Sequence, residues 1–404
     1  MAEYLIQDTT LDAIANAIHD KSGASVPMTP AEMVTAIGNI SGGGGEEVPD
    51  ISDIVVPLGS VNNAALLVVD KTLLYGDTIN LVLGSPVHNR ASASCGHIEN
   101  GTYVVDINFV GIDAINTSTF ECDLSTVNSR YAIINCNFTF TSNGAYALQF
   151  SPLKAVLAIN VRCSGSMSIN SPGFGFRYAP NVSFFKVSSA SFTMGSLSER
   201  QFPLASKTII VESPAWSEAP RTMREAFSGF VVLESISLPT VGVKLTAANQ
   251  SNSILNAYRG CLALKQLDLS MIDVSEVTIV TDLFSACVSL ETLNLDGWNM
   301  SAVTTGASTM FSGTQVLQNI SLHDSVLPSS NISFSSSSML SNASLIEIAN
   351  ALPVASYTLT LHATPKAALQ TIVGTVSDGV FTEDASGTVT LMDFITNTKG
   401  WTVA

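Results

Sequence analysis

At 404 residues the chain exceeds the usual ceiling for one compact core, so several domains or an open-ended repeat array is expected. Only 12% of residues are charged and 46% are apolar, with Ser, Thr, Asn and Gly making up the balance, a mixture that suits stacked strands joined by short turns. A net charge of −16 with 17 Lys and Arg leaves no basic stripe for nucleic-acid phosphates, and the densest apolar run, Ala64 to Val69, is far too short to span a membrane.

The N-terminus, Met1 to Asp8, has neither a cationic start nor an apolar core, so no secretory signal is expected. The end, Lys399 to Ala404, carries no sorting or lipidation pattern, which predicts a protein made and assembled in the cytoplasm. Residues 1–41 predict a helical hairpin. Thr9 or Thr10 caps a helix with Leu11, Ile14, Ala15 and Ile18 on one face, and Gly23 ends it. Thr29, Pro30 and Glu32 form a capping box for a second helix whose apolar face is Met33, Ala36, Ile37 and Ile40. So small a unit has too little core to stand alone, which implies docking in an oligomer, on a partner or on the downstream domain.

Residues 42–50 form a Gly-rich linker around Gly42 to Gly45, without the Lys-Ser/Thr ending of a phosphate-binding loop. Residues 51–94 predict a β-rich connector with strands over Ile54–Leu58, Ala65–Val69 and Thr78–Leu83. Residues 95–224 predict degenerate β-solenoid coils, because strand-like segments at Tyr103–Phe109, Tyr131–Phe138, Ala155–Val161, Asn181–Val187 and Lys207–Val211 recur at similar intervals.

Over 225–350 the repeat is explicit. Phe227, Tyr258, Phe284 and Phe311 each open a unit and each precede a small polar pair or its equivalent. Six residues later comes an apolar triple at spacing three and two: Leu233/Ile236/Leu238, Leu264/Leu267/Leu269, Leu290/Leu293/Leu295 and Leu317/Ile320/Leu322. The last two of each triple differ by two positions, so both side chains point to one face of a short strand. The aromatic is expected to end a short helix and to fill the gap between layers. A decayed copy, Leu340 to Leu345, ends the array near 350, since each coil needs a neighbour and the last one a cap. Residues 351–404 predict that cap as a small α+β unit: a helix from Thr364 and Pro365 to Gly374, then strands over Val380–Thr382 and Thr388–Leu391.

Six cysteines are too few for a disulfide framework. Cys95 and Cys122, Cys136 and Cys163, and Cys261 and Cys287 are each separated by about one repeat, which predicts thiols packed in the same slot of successive coils.

The segment Ser289 to Val303, with its Leu-Glu-Thr-Leu-Asn-Leu core and Gly297-Trp298-Asn299 turn, closed by Met310-Phe311-Ser-Gly, resembles the BspA-like leucine-rich repeat of bacterial and phage proteins. Leu11 to Gly23 followed by Met28 to Ile37 is similar to the head of many tail-fibre and baseplate-associated proteins of tailed phages. Together these resemblances imply a bacteriophage virion component in which residues 1–41 attach to other tail or baseplate proteins. The solenoid would then meet a host cell-surface receptor or glycan. By analogy with fibres they imply a homo-oligomer, such as a trimer.

Chemistry is sparse. His19, His88, His97, His323 and His362 are scattered, and Cys95 with His97 lacks a second ligand pair. Asp106 and Asp113 read more simply as turn residues than as the carboxylate pair of a glycosidase. Neither resemblance carries catalytic residues. The expectation is therefore a non-enzymatic structural protein with no catalytic, cofactor or metal residues. The alternatives are a bacterial surface adhesin, a phage head fibre or decoration protein, and a tail polysaccharide depolymerase.

Overall fold

The computed structural model describes residues 254–404 without interruption and, upstream of them, separate segments between residues 49 and 245. The expected hairpin over 1–41, the strand over Ile54–Leu58 and all but one residue of the linker 42–50 lie outside the described residues.

The upstream segments contribute β1 (Asn63–Asp70), β2 (Thr117–Thr126), β3 (Tyr131–Phe140), β4 (Val156–Ser168), β5 (Phe184–Thr193), β6 (Thr208–Glu212) and β7 (Ser235–Ser237). They lie in one sheet in the order β7-β6-β5-β4-β1-β3-β2. From β4 to β7 the neighbours are parallel, and Ile159, Phe185, Ile209 and Ile236 stand in one register line. β1 is antiparallel to both β4 and β3, and β3 is antiparallel to β2. On β1, Leu67 and Val69 join the main core, whereas Leu66 and Val68 pack in a second cluster with Ala158. Its end is tied to the start of β3 by Arg130, which holds the buried Asp70 carboxylate at 2.8 Å.

This arrangement corrects the reading of 95–224 as degenerate coils of one solenoid. The expected strands near 155, 181 and 207 do stack in parallel. Their lookalike at Tyr131–Phe138 runs antiparallel in β3, and Tyr103–Phe109 divides between Thr102–Val104 and Asn108–Val110, each with an antiparallel partner elsewhere. Alternation of apolar and polar residues marks a strand but carries no information on its direction or neighbour. Cys122 and Cys136 are consequently register partners on antiparallel strands, not occupants of one slot in successive coils.

Beyond β7 the solenoid continues through β8 (Gln266–Asp268), β9 (Thr292–Asn294) and β10 (Asn319–Ser321), parallel throughout. Further ladders complete the cross-section of each coil: Val243–Lys244 pairs with Ile272–Asp273, and single bridges join Ile279 to Thr305 and Asn299 to Val326. Of the four apolar triples, every member is buried except Ile236, which is half-buried against the same core.

The expected short helix before each aromatic is replaced by a ribbon of overlapping turns. In the Tyr258 coil the N–H groups of Ala257, Arg259 and Cys261 each bond the carbonyl three residues back, while those of Asn256, Tyr258 and Gly260 donate to Thr281, Leu283 and Ser285 of the next coil. Donors thus alternate between local turns and the neighbouring coil, so every second amide works as it would in a sheet. Left-handed residues make this possible: Glu225, Asn256, Asp282 and Ala286 have φ between 53° and 59°, at which a helix cannot continue. Gly306 (φ 90°) is needed for space as well, because a Cβ there would lie 2.4 Å from Thr281 Cα.

The aromatic openers form one column inside the ribbon. Phe227, Tyr258, Phe284, Phe311 and Phe334 stack in turn, with centroids 5.2, 6.0, 5.6 and 4.4 Å apart and planes within about 22° of parallel. Such pairs contribute about 0.5–1.5 kcal/mol each beyond the area they bury. Phe334, in β11 (Ile332–Phe334), opens a fifth coil. It precedes two serines and stands six residues before Leu340, so the decayed copy has an opener of its own.

In that fifth coil a helix, α1 (Asn342–Ala351), takes the place of the leucine strand. It is N-capped by Ser341 and closes the open edge of β10. Ser344 Oγ accepts from Ile320 N and donates to Gln318 O, both at 2.9 Å, and Glu347 accepts from Leu322 N. Side chains thereby satisfy the edge groups that a fifth leucine strand would otherwise have paired.

The cap follows: β12 (Thr358–Leu361), α2 (Ala363–Ala368), the hairpin β13 (Val373–Ser377) and β14 (Val380–Glu383), β15 (Val389–Thr390), a helical turn over 391–398, and β16 (Thr402–Val403). β11, β12 and β16 are parallel, so the chain's last strand extends the stack. Trp401 is buried and donates its indole N–H to Pro353 O at 2.7 Å. The expected helix reaching Gly374 ends six residues earlier. His362 caps it through Nδ1, and the β-branched stretch Thr371–Val376 supplies strand β13 instead. The molecule is thus mainly β, with few helices and a solenoid of five aromatic-bearing coils. Among the described residues no helix is long and apolar enough to cross a membrane.

Candidate interaction face

The parallel strands that bury the leucine triples turn their other side chains outward. Within β8, β9 and β10 the middle residues Leu267, Leu293 and Ile320 point inward, leaving two outward rows. One row is Gln266, Thr292 and Asn319; the other is Asp268, Asn294 and Ser321. Thr208 and Ser235 form the corresponding pair on β6 and β7, and their hydroxyls are hydrogen-bonded at 3.2 Å. Parallel strands lie about 4.8 Å apart, so amides, hydroxyls and one carboxylate recur along this face at a fixed step.

A third row runs along the strand entrances. The N–H groups of Lys207 and Thr208 both donate to Ser183 O, those of Glu234 and Ser235 to Lys207 O, those of Glu291 and Thr292 to Lys265 O, and those of Gln318 and Asn319 to Glu291 O. The repeated pattern places Ser183, Lys207, Glu234, Lys265, Glu291 and Gln318 at equivalent positions of successive rungs, with β7 beside β8.

The corners that leave the face are fixed locally. Asp268 Oδ1 accepts from Ser270 N and Asn294 Oδ1 accepts from Asp296 N, both at 3.0 Å, so each closes an Asx turn. Asp296 then bridges to the next coil, accepting from Ser321 Oγ at 2.5 Å and His323 N at 2.8 Å. Beneath the corner Trp298 donates its indole N–H to Leu269 O at 2.8 Å. On another side Lys244 pairs with Glu276 at 2.9 Å, and this contact raises the lysine's pKa.

The expected thiol slot holds for Cys261 and Cys287, which are free and fully buried. Their thiols donate across coils to Phe227 O and Tyr258 O at 3.2 and 3.1 Å. Thr314 and Ser337 fill the same position in the next two coils and are hydrogen-bonded to each other at 2.9 Å. In these four coils the slot therefore holds a small donor, sulfur or oxygen, whereas Phe230 stands at the equivalent position of the first coil. The contact with Cys287, and burial after it, push the Cys261 thiol pKa up, which keeps it protonated and unreactive.

Cys95, Asp106 and Asp113 lie outside the described residues, as do His19 and His88; His97 heads the short strand His97–Glu99. His323 is exposed with its Nε2 3.5 Å from the Asp324 carboxylate, and His362 caps α2. Among the described residues no three His, Cys, Asp or Glu side chains group as metal ligands. A small apolar cavity lies between Tyr258, Ile254, Leu269, Ile272, Leu283 and Trp298; the Tyr258 hydroxyl is buried without a hydrogen-bond partner among the described residues. Comparisons with family models, with curated proteins and with solved structures found no match to this chain.

Proposed function

We propose that this protein is a non-enzymatic binding component of a bacteriophage particle, of the tail fibre or baseplate type. Residues 1–41 attach it to other virion proteins, and the solenoid meets a host-surface receptor or glycan. The observation that supports the binding half is the outward face of β7 to β10, with its rows of Thr, Ser, Gln, Asn and Asp at one step per coil. A rigid, repeating array of hydrogen-bonding groups suits a repeating polymer, which it engages through many weak contacts. The particle assignment rests on the resemblances of residues 11–37 to tail-protein heads and of 289–313 to BspA-like leucine-rich repeats.

The test uses the full purified chain. It is expected to bind the surface of host cells and to compete with particle adsorption, and Thr292→Arg with Asn319→Arg is expected to abolish both while leaving the unfolding midpoint in place. Absence of cell binding and of competition overturns the receptor reading. Detection of the protein on uninfected bacteria favours the adhesin, release of reducing ends from host polysaccharide favours the depolymerase, and labelling of the capsid rather than the tail favours the head fibre.

A further inference from the structure

The strand-entrance row carries an alternating charge order. Reading along the stack, Lys207 is positive, Glu234 negative, Lys265 positive and Glu291 negative, and the block is bounded by the neutral Ser183 and Gln318. Lys207 and Glu234 are each about 60% exposed in their side chains and lie 3.7 Å apart. Solvent screens a contact of that kind, so its share of the fold's stability is small.

Beside this row runs an apolar one. Val231, Val232 and Leu262 are 49%, 37% and 40% exposed, two or three residues before Glu234 and Lys265 in sequence, and Val231 and Leu262 each stand four residues after their openers Phe227 and Tyr258. Large side chains at equivalent positions of adjacent coils form a contiguous ridge, an arrangement that marks contact surfaces.

We infer that this ridge and its charge row form an interface with a second copy of the chain, packed antiparallel about a two-fold axis that runs along the strands between β7 and β8. The charge order dictates the partner. Reversing a plus-minus-plus-minus row gives its complement, so Lys207 meets Glu291, Glu234 meets Lys265, and the two remaining pairs follow by symmetry. The same operation sets Val231 and Val232 of each copy against Leu262 of the other, which removes the exposed ridge from water. An isologous contact requires this self-complementarity. A parallel side-by-side arrangement with the rungs level would instead set like charges against like. This assembly is independent of the proposed function and of any contact made by residues 1–41.

Sedimentation of the full chain tests it. The wild type is expected at twice the chain mass. Lys265→Glu alone and Glu234→Lys alone are each expected to sediment at the chain mass, because each opposes like charges at the axis. An equimolar mixture of these two variants is expected to recover the doubled mass, since Lys265→Glu in one copy then faces Glu234→Lys in the other. Neither chain in the mixture regains its internal charge order, so the recovery reports contact between copies only. Leu262→Asp is expected to abolish association in every combination. A wild type at the chain mass overturns the inference, and so does a trimer or a mixture that fails to recover. A dimer that survives both single charge variants and Leu262→Asp overturns it too.

Discussion

The indole of Trp298 reaches back one coil to the carbonyl of Leu269, at 2.8 Å, and so links the corner of one leucine strand to the end of the strand before it. Both groups are buried, so neither has water as a substitute. Trp298→Phe keeps most of the apolar volume and removes one of the two hydrogen bonds that the Leu269 carbonyl accepts, the other coming from Ile272 N at 3.0 Å. The expected loss is about 0.5–1.5 kcal/mol, the usual net contribution of one hydrogen bond. Urea unfolding followed by circular dichroism checks it. An unchanged midpoint would mean that the bond contributes nothing net.

Tyr258 gives the opposite expectation. Its ring belongs to the aromatic column, but its hydroxyl is buried with no hydrogen-bond partner among the described residues, and burial pushes its pKa up. Tyr258→Phe retains the stacking and removes the unpaired group, so stability is expected to rise by about 1 kcal/mol. A lower thermal midpoint would show that the hydroxyl is bonded in solution.

Ser344 tests the closure of the solenoid. Its hydroxyl serves both Ile320 N and Gln318 O on the edge of β10. Ser344→Ala leaves the Ile320 N–H unpaired at a buried site, while Gln318 O keeps its bond from Ser341 N, and is expected to cost about 1–3 kcal/mol. Amide exchange at Ile320 is expected to accelerate relative to Leu293, an inner-strand residue. Equal acceleration at both would mean the helix is not the element that protects the edge.

Lys399 gives the cap a pH dependence. Burial lowers its pKa below 10.5, although Nζ donates to Asn350 O at 3.1 Å and lies 5.3 Å from the centre of the Phe394 ring. The folded form therefore releases its proton at a lower pH than the unfolded form. Between those two values the unfolded chain holds more protons, so this lysine makes stability rise with pH up to about 10.5. Lys399→Met is expected to flatten that segment of the midpoint-against-pH curve. Parallel curves for the two proteins would refute the assignment.

How far the sequence carried depends on the range of the interaction concerned. The apolar triples and the aromatic openers were legible because a coil repeats its own local chemistry. Leu293 faces inward for reasons contained in the five residues around it, and the triples followed suit apart from the half-buried Ile236. Phe334 carried the same signal, two serines after it and Leu340 six positions on, yet only its place in the stacked column marked it as an opener. The thiol slot was visible as a spacing of cysteines, but its true rule needed Thr314 and Ser337 beside them, and only the register supplied that.

What the local pattern could not settle was left to the tertiary structure. Tyr131–Phe138 and Ala155–Val161 carry the same alternation, yet the first runs antiparallel beside β1 and the second begins the parallel stack. Strand direction is set by which edge the chain returns to, a choice made by connections and not by side-chain periodicity. The turn ribbon likewise replaced the expected helices because amides at every second residue found carbonyls one coil away. The charge row Lys207, Glu234, Lys265 and Glu291 spans 84 positions of sequence and becomes a row only when four rungs stack. The sequence by itself determined the coil and its inward face; stacking decided which coils adjoin, in which direction, and what the outward face presents.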